Sequence, residues 1–427
     1  MHRISLLPAS LSATVFLSAT LSLSATLSAQ VNAGDIAVSR FSTTSFAVIG
    51  GTTSSVTGYT TAGFQGTGLS QTILWDRANP NAFLIGGTGF VGRATITGPG
   101  AVSYALITNG VGTAVQMSWH DSGLVVVVDS GTNQVRLLDP LTGSVVDLSS
   151  GAQPWGSSLS SGAWDPITGD VVLGGDGEIY RLASGTTTAT LIVGGLGGFV
   201  SGIAFDAFTG EIVATVLTQN RLIRVDGAGV VTNIAPPGSI PGPNGLDVDH
   251  VGDFIAGGGT GQVYRVPHAG GTPVFLANNP GPLNGIAVAG AGGYAIPFGT
   301  SCSGGAGVLS LTATGPFLAG SVVTTTSTNH APNSIGLLVL GVSNTTHLGI
   351  PLPLLLDPVL GTAGCYLNVS VDVTAVDITS ATSPATLSFP FFLPPYFSGQ
   401  RFYAQHVGLE PVPGGLSFSN GLAFRVQ

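Results

Sequence analysis

Residues 164–181 read WDPITGDVVLGGDGEIYR, and three of their features return along the chain at a nearly fixed period. The leading aromatic belongs to a column of Trp75, Trp119, Trp164, Phe205, Val248 and Val288, separated by 44, 45, 41, 43 and 40 residues. The closing arginine belongs to a second column, Arg93, Arg136, Arg181, Arg224 and Arg265, at intervals of 43, 45, 43 and 41. Between the two columns an Asp opens a Gly-containing turn, as in DAFTGEIVATV after Phe205 and DHVGDFIAGG after Val248. Asp can bond its own backbone two residues on, and Gly supplies the dihedrals of a tight reversal. Each unit therefore reads strand A, turn, strand B, loop, strand C with the Arg, turn, strand D. A unit of about 40 to 50 residues that buries its faces only against its neighbours is a blade of a β-propeller.

Composition agrees. The 427 residues include 65 Gly, 20 acids, 11 Arg and no Lys, a strand-and-turn chemistry rather than a helical one. The expected class is all-β, and the length predicts two domains. An acidic balance excludes nucleic acid as a partner, because phosphate contacts need clustered cations.

Residues 1–29 read as a secretory signal peptide: His2 and Arg3 precede an uncharged stretch rich in Leu, Ala, Ser and Thr that ends in small residues. A membrane anchor is the alternative, since the uncharged run is long enough to span. No later segment qualifies, because GIPLPLLLDPVLG is broken by prolines and Asp357. The only cysteines, Cys302 and Cys365, read as a disulfide in an exported chain. Closing a 63-residue loop is worth roughly 4 kcal/mol in the chain-entropy model.

A signal segment and two domains follow: 1–29 signal peptide, 30–298 propeller, and 299–427 a disulfide-containing β-sandwich. Beyond residue 298 the period stops and short alternating strands follow, among them GVLSLTATG, SIGLLVLGV, CYLNVSVDV, ATLSFPFF, RFYAQHV and GLAFRVQ. The stretch 389–395 is expected at a sheet edge or corner. Ring closure favours six blades, with DIAVSR, TSFAVIGG and SSVTGYT supplying strands B, C and D to a sixth blade begun at residues 284–289. Gly293 to Phe298 as strand B, or seven blades, are the alternatives.

Residues 124–143, LVVVVDSGTNQVRLLDPLTG, resemble the NHL repeat. PNGLDVD at 243–249 and LNGIAVA at 283–289 are similar to strand openings of regucalcin/gluconolactonase-like propellers. FGTSCSG, GIPLPLLLD, RFYAQ and GLAFRVQ resemble C-terminal domains of secreted bacterial proteins with no assigned role. The propeller resemblance spans about residues 34–298. It implies a superfamily containing lactonases, phosphotriesterases, lyases of cyclic antibiotics and binding scaffolds, and a divalent ion in the channel of its regucalcin-like enzymes.

Residues just before strand A and just after strand B share one face: Asn244, Asn284, Ser201, Ser160, Asp129 and Asp176. Asn244, Asn284, Asp129 and Asp176 are hard-oxygen candidates for Ca²⁺, Asn244 matching the family's Asn ligand. No Glu opens a strand to match its acidic one. The competing role for an Asn before Gly is to shape the loop. On the other face Asp76, His120, Asp165, Asp206 and Asp249 are expected in turn work rather than as a cation ring. The arginine column is expected to bond backbone or an adjacent acid rather than an anionic ligand. His250, His268, His330, His347 and His406 form no ligand pattern and are expected on the surface or in turns. Glu178, Glu211 and Glu410 show no placement suited to a ligand.

Two functions stay open. One is a secreted binding or structural propeller presenting its channel face to an extracellular polymer, glycan or protein. The other is a metal-assisted, lactonase-like hydrolase or lyase built around Asn244.

Overall fold

A computed structural model describes residues 31–426, apart from 33, 41–44, 51–53, 61–69, 157–158, 207, 250, 280, 291–292, 316, 358–363, 398–399 and 411–414. The signal-peptide reading of residues 1–29 and His250 lie outside the described residues. Every described sheet strand pairs antiparallel, and among the described residues no helix is long and apolar enough to cross a membrane. The chain is all-β.

Six four-stranded sheets occupy the repeat region. Each landmark ends an A strand and faces the first residue of strand B or its neighbour: Trp75 opposite Phe83, Trp119 opposite Val125, Trp164 opposite Val171, Phe205 opposite Ile212, Val248 opposite Phe254, Val288 opposite Ile36. The last pairing joins strand Leu283–Val288 to the N-terminal strands Ile36–Arg40, Ser45–Ile49 and Val56–Thr60 in one sheet. Strand B is mainly apolar because it is covered on both faces, as in Val125–Asp129 and Ile212–Val216, buried at every residue. The apolar side chains fall into clusters shared by successive sheets. Leu84 and Val91 pack with Val125 and Val127, Val126 with Leu173, and Val172 with Ala214. Val213 packs with Phe254, Ile255 with Ile286, and Ala287 with Phe83. The A strands touch in the same cyclic order, so each blade's core is made by its neighbours.

The chain leaves the repeats earlier than residue 298. Strand Tyr294–Phe298 pairs with Leu416–Arg425 in a five-stranded sheet completed by Arg401–Leu409, Ile335–Gly341 and Val373–Ile378. It is therefore not a propeller B strand, because Ile36–Arg40 already holds that edge. A three-stranded sheet, Ser310–Thr314, Val322–His330 and Ala385–Phe392, faces it across a core of Leu311, Val323, Leu387, Leu338, Phe402 and Phe424. Ala385–Phe392 lies on an edge, where Pro390 costs no ladder bond that matters. CYLNVSVDV is strand only at Tyr366–Leu367 and from Val373 onward. Cys302 and Cys365 form the disulfide, with Cα atoms 4.9 Å apart.

Candidate functional site

The site is built from the A strands. Four of them carry a bulge at the loop end, between Ser70 and Thr72, Ala114 and Gln116, Val200 and Gly202, and Leu283 and Gly285. A bulge adds one unpaired residue and re-aims its side chain. Three of the added residues, Val115, Ser201 and Asn284, line an axial cavity of about 160 Å³. Its wall continues through Gln116, Ser118 and Ile286 to a floor of Trp75, Arg77, Trp119, Trp164 and Asp247. The floor is closed by Tyr294, Ile296 and Arg425 of the C-terminal module.

The loop-end polar residues tie one blade to the next. Ser160 Oγ donates to Val200 O at 2.8 Å, Ser201 Oγ to Pro243 O at 2.7 Å, and the Asn244 amide to Asn284 Oδ1 at 2.9 Å. Gly245 follows Asn244 with φ +77, and a Cβ there would stand 2.9 Å from Asn284 O. The loop-shaping role of the Asn-Gly pair is thus visible. Of the four calcium candidates the structure brings together only Asn244 and Asn284. Asp129 is buried in its own loop, accepting from Gly112 N and Thr113 N, both at 2.7 Å, with Arg136 at 3.3 Å. Burial pushes its carboxyl up, but those backbone bonds outweigh burial and hold it below the usual range. Asp176 lies exposed on a turn, its backbone bridged to Phe199. Asn284 Oδ1 and the Asp129 carboxylate are engaged in framework bonds, and Asp129 and Asp176 stand apart from the Asn pair. Among the described residues no three of His, Cys, Asp and Glu group as a metal-ligand set.

The two columns on the opposite face meet each other. Asp76, Asp165, Asp206 and Asp249 each accept a backbone N–H two residues on and pair with Arg93 at 2.5 Å, Arg181 at 3.4 Å, Arg224, and Arg265 at 3.1 Å. Arg93 and Arg224 reach on to Pro140 O and His268 O of the next blade. A charge between blades is tolerated only when so compensated. The second blade breaks the column with His120, whose ring meets that of Trp164 at a tilt of 47° with centroids 3.8 Å apart, and the acid moves to Asp121. Asp121 instead pairs with Arg401 and Arg425 of the C-terminal module. Arg401 also donates to Pro166 O at 2.8 Å. The break in the repeat is a docking point. Asp121→Ala is expected to cost about 2 kcal/mol, since it strands buried Arg425 while Asp121 itself is partly solvated; thermal unfolding followed by tryptophan fluorescence should show the loss.

One position before each landmark the repeats read Leu74, Ser118, Ala163, Ala204, Asp247 and Ala287. The Ser118 hydroxyl accepts from Trp164 N, and the Asp247 carboxylate accepts in the same way from Val288 N, both at 2.8 Å. Asp247 also accepts from Val248 N. It lies deep in the floor yet keeps part of its surface open to the cavity. Burial pushes its carboxyl up to about 7, against the backbone bonds and the Arg77 charge that favour ionisation. Periodicity alone hid it, because LDVD reads as ordinary strand; its signal is an acid at an apolar column.

A second polar cluster lies inside the C-terminal module, and corrects the expected surface or turn placement of His330 and His406. His330 and His406 are fully buried and both bond Ser327 Oγ, through Nε2 at 2.6 Å and Nδ1 at 2.7 Å. His406 Nε2 meets Thr325 Oγ1 at 3.0 Å, and Glu410 pairs with His330 Nδ1. Burial, then the neighbouring His330, pulls His406 down to about 3. The arrangement has the order of an acid, a histidine and a hydroxyl, but Ser327, His330 and His406 are all without solvent exposure. It joins sheets rather than meeting a substrate.

No family model and no curated protein matches the chain. Solved structures similar to it include a nidogen/laminin complex at 12% identity and TM-score 0.49, over 60% of this chain and 98% of that one. A gluconolactonase-like protein is similar at 12% identity and TM-score 0.43, over 69% and 90%. A catalytically inactive virginiamycin B lyase from Staphylococcus aureus, with quinupristin, is similar at 12% identity and TM-score 0.38, over 53% and 72%. The assignment of this chain as a β-propeller rests on its own sheet topology.

Proposed function

We propose that the chain is a secreted binding protein, in which the C-terminal module converts the propeller channel into a pocket with one end closed. The ligand, an extracellular polymer end, glycan or protein segment, enters from the loop face. One observation carries this reading: the residues by which the repeats differ, Gln116, Ser201, Asp247 and Asn284, line a single cavity whose far end is covered by Tyr294, Ile296 and Arg425. A concave, largely apolar site with a few convergent polar groups is where ligands are held. A floor of this kind excludes threading of a polymer through the ring. The disulfide between Cys302 and Cys365 supports an oxidising compartment.

The test is retention of the purified chain on immobilised extracellular polysaccharides and matrix proteins, with Ser201→Trp and Asn284→Trp to fill the loop end of the channel. Retention lost in either folded variant, and unchanged by a calcium chelator, supports the pocket. Retention that survives both overturns it, and chelator-sensitive retention returns the reading to a channel metal.

A further inference from the structure

We propose that the floor of the axial pocket binds a small organic monocarboxylate, its anionic group held by Arg77 and Arg425 and its apolar body against Trp75, Trp119 and Trp164. This deepens the reading of the channel as a ligand pocket and rests on it.

The argument is one of charge balance inside a low-dielectric chamber. Each acid of the turn column that borders the floor has its own arginine, as Asp206 has Arg224. Arg77 has none. Its guanidinium stands over the Trp119 ring at 5.2 Å, its Nε is buried without a hydrogen-bond partner among the described residues, and it forms no ion pair among them. Arg425 enters from the module; one of its Nη atoms pairs with Asp121, and its Nε is likewise buried and unpartnered. Asp121 is already shared with Arg401. Three arginines therefore face Asp121 and Asp247, leaving the floor cationic in a chain whose formal net charge is −9. Burial and repulsion by Arg425 both disfavour the charge on Arg77. Uncompensated buried charge is expensive, and a carboxylate between two guanidinium groups removes both costs through charge-assisted bonds. The three indoles and Phe205 on the same wall accept a flat apolar body.

Three probes of one shape and different charge test this: benzoate, benzyl alcohol and benzylammonium, titrated into the full chain with tryptophan fluorescence and melting temperature as readouts. Benzoate is expected to bind at least about tenfold more tightly than benzyl alcohol. Arg77→Gln should erase that preference, Arg77→Lys should weaken it by losing the fork, and Asp247→Asn should strengthen it by removing a competing carboxylate. Benzyl alcohol binding as tightly as benzoate overturns the anion site and leaves the pocket standing. No binding by any probe overturns this ligand class, while polymer retention decides the pocket separately. If Arg77→Gln fails to fold, Arg77→Lys and Asp247→Asn carry the decision, and preference unchanged in both overturns the proposal.

Discussion

Glu410→Ala is expected to destabilise the C-terminal module by roughly 3–5 kcal/mol, the scale of removing a buried carboxylate from its hydrogen-bonded partners. Glu410 accepts from Ala331 N at 3.1 Å, Ser417 Oγ at 2.9 Å and Gly305 N, besides its pairing with His330. Removing the carboxylate leaves these donors buried without partners, each costing about 1–3 kcal/mol. Burial opposes ionisation of Glu410, but the bonds from His330, Gly305, Ser417 and Ala331 outweigh it and hold the carboxyl below its usual range. Denaturant unfolding of the whole chain, compared with Glu410→Gln, measures the effect. Gln keeps one acceptor and should lose less. An Ala variant within about 1 kcal/mol of the parent would show that the network is incidental to stability.

Why this cluster escaped the sequence is a matter of separation. Ser327 and His330 stand on one sheet, and some 80 residues later His406 stands on the other, with Glu410 just past the end of its strand. Little local marks VVTTTSTNH as a core strand, since beyond Val323 its inward residues are Thr325 and Ser327 rather than aliphatics; burial is tolerated because the histidines satisfy them. The propeller was legible for the opposite reason. Its interactions repeat, so Arg224 with Asp206 and Arg93 with Asp76 appear as columns before any contact is known. The same regularity marks the exceptions. His120 in the Asp column signals the docking of Asp121 to the module, and Asp247 in an apolar column signals the cavity floor. What periodicity could not supply was the partner of each exception, because Arg401, Arg425 and Tyr294 belong to a module that does not share the repeat.

Asp247 gives the second large effect, in the pH dependence of stability. Its folded carboxyl titrates at about 7, against roughly 3.9 for an unfolded Asp. Between these values the folded state holds a proton that the unfolded state has released, so stability falls as pH rises from about 4 to about 7 and then levels off. The loss attributable to this group is on the order of 4 kcal/mol. Asp247 is faced by Asp249 from its own strand end and Arg77 from the first blade, and the floor is closed by Arg425 and Tyr294 of the module. Tyr294 is pushed up by burial, away from this window. Asp249 is pushed up by burial too, against the charge of Arg265, and adds a slope of the same sign. Asp247→Asn is therefore expected to flatten the decline without abolishing it, keeping the Val288 N bond through its carbonyl oxygen. Urea unfolding at steps between about pH 4 and pH 8 checks this. A variant whose decline matches the parent's would show that Asp247 ionises freely in the folded chain, and the floor would then carry a full negative charge opposite Arg77.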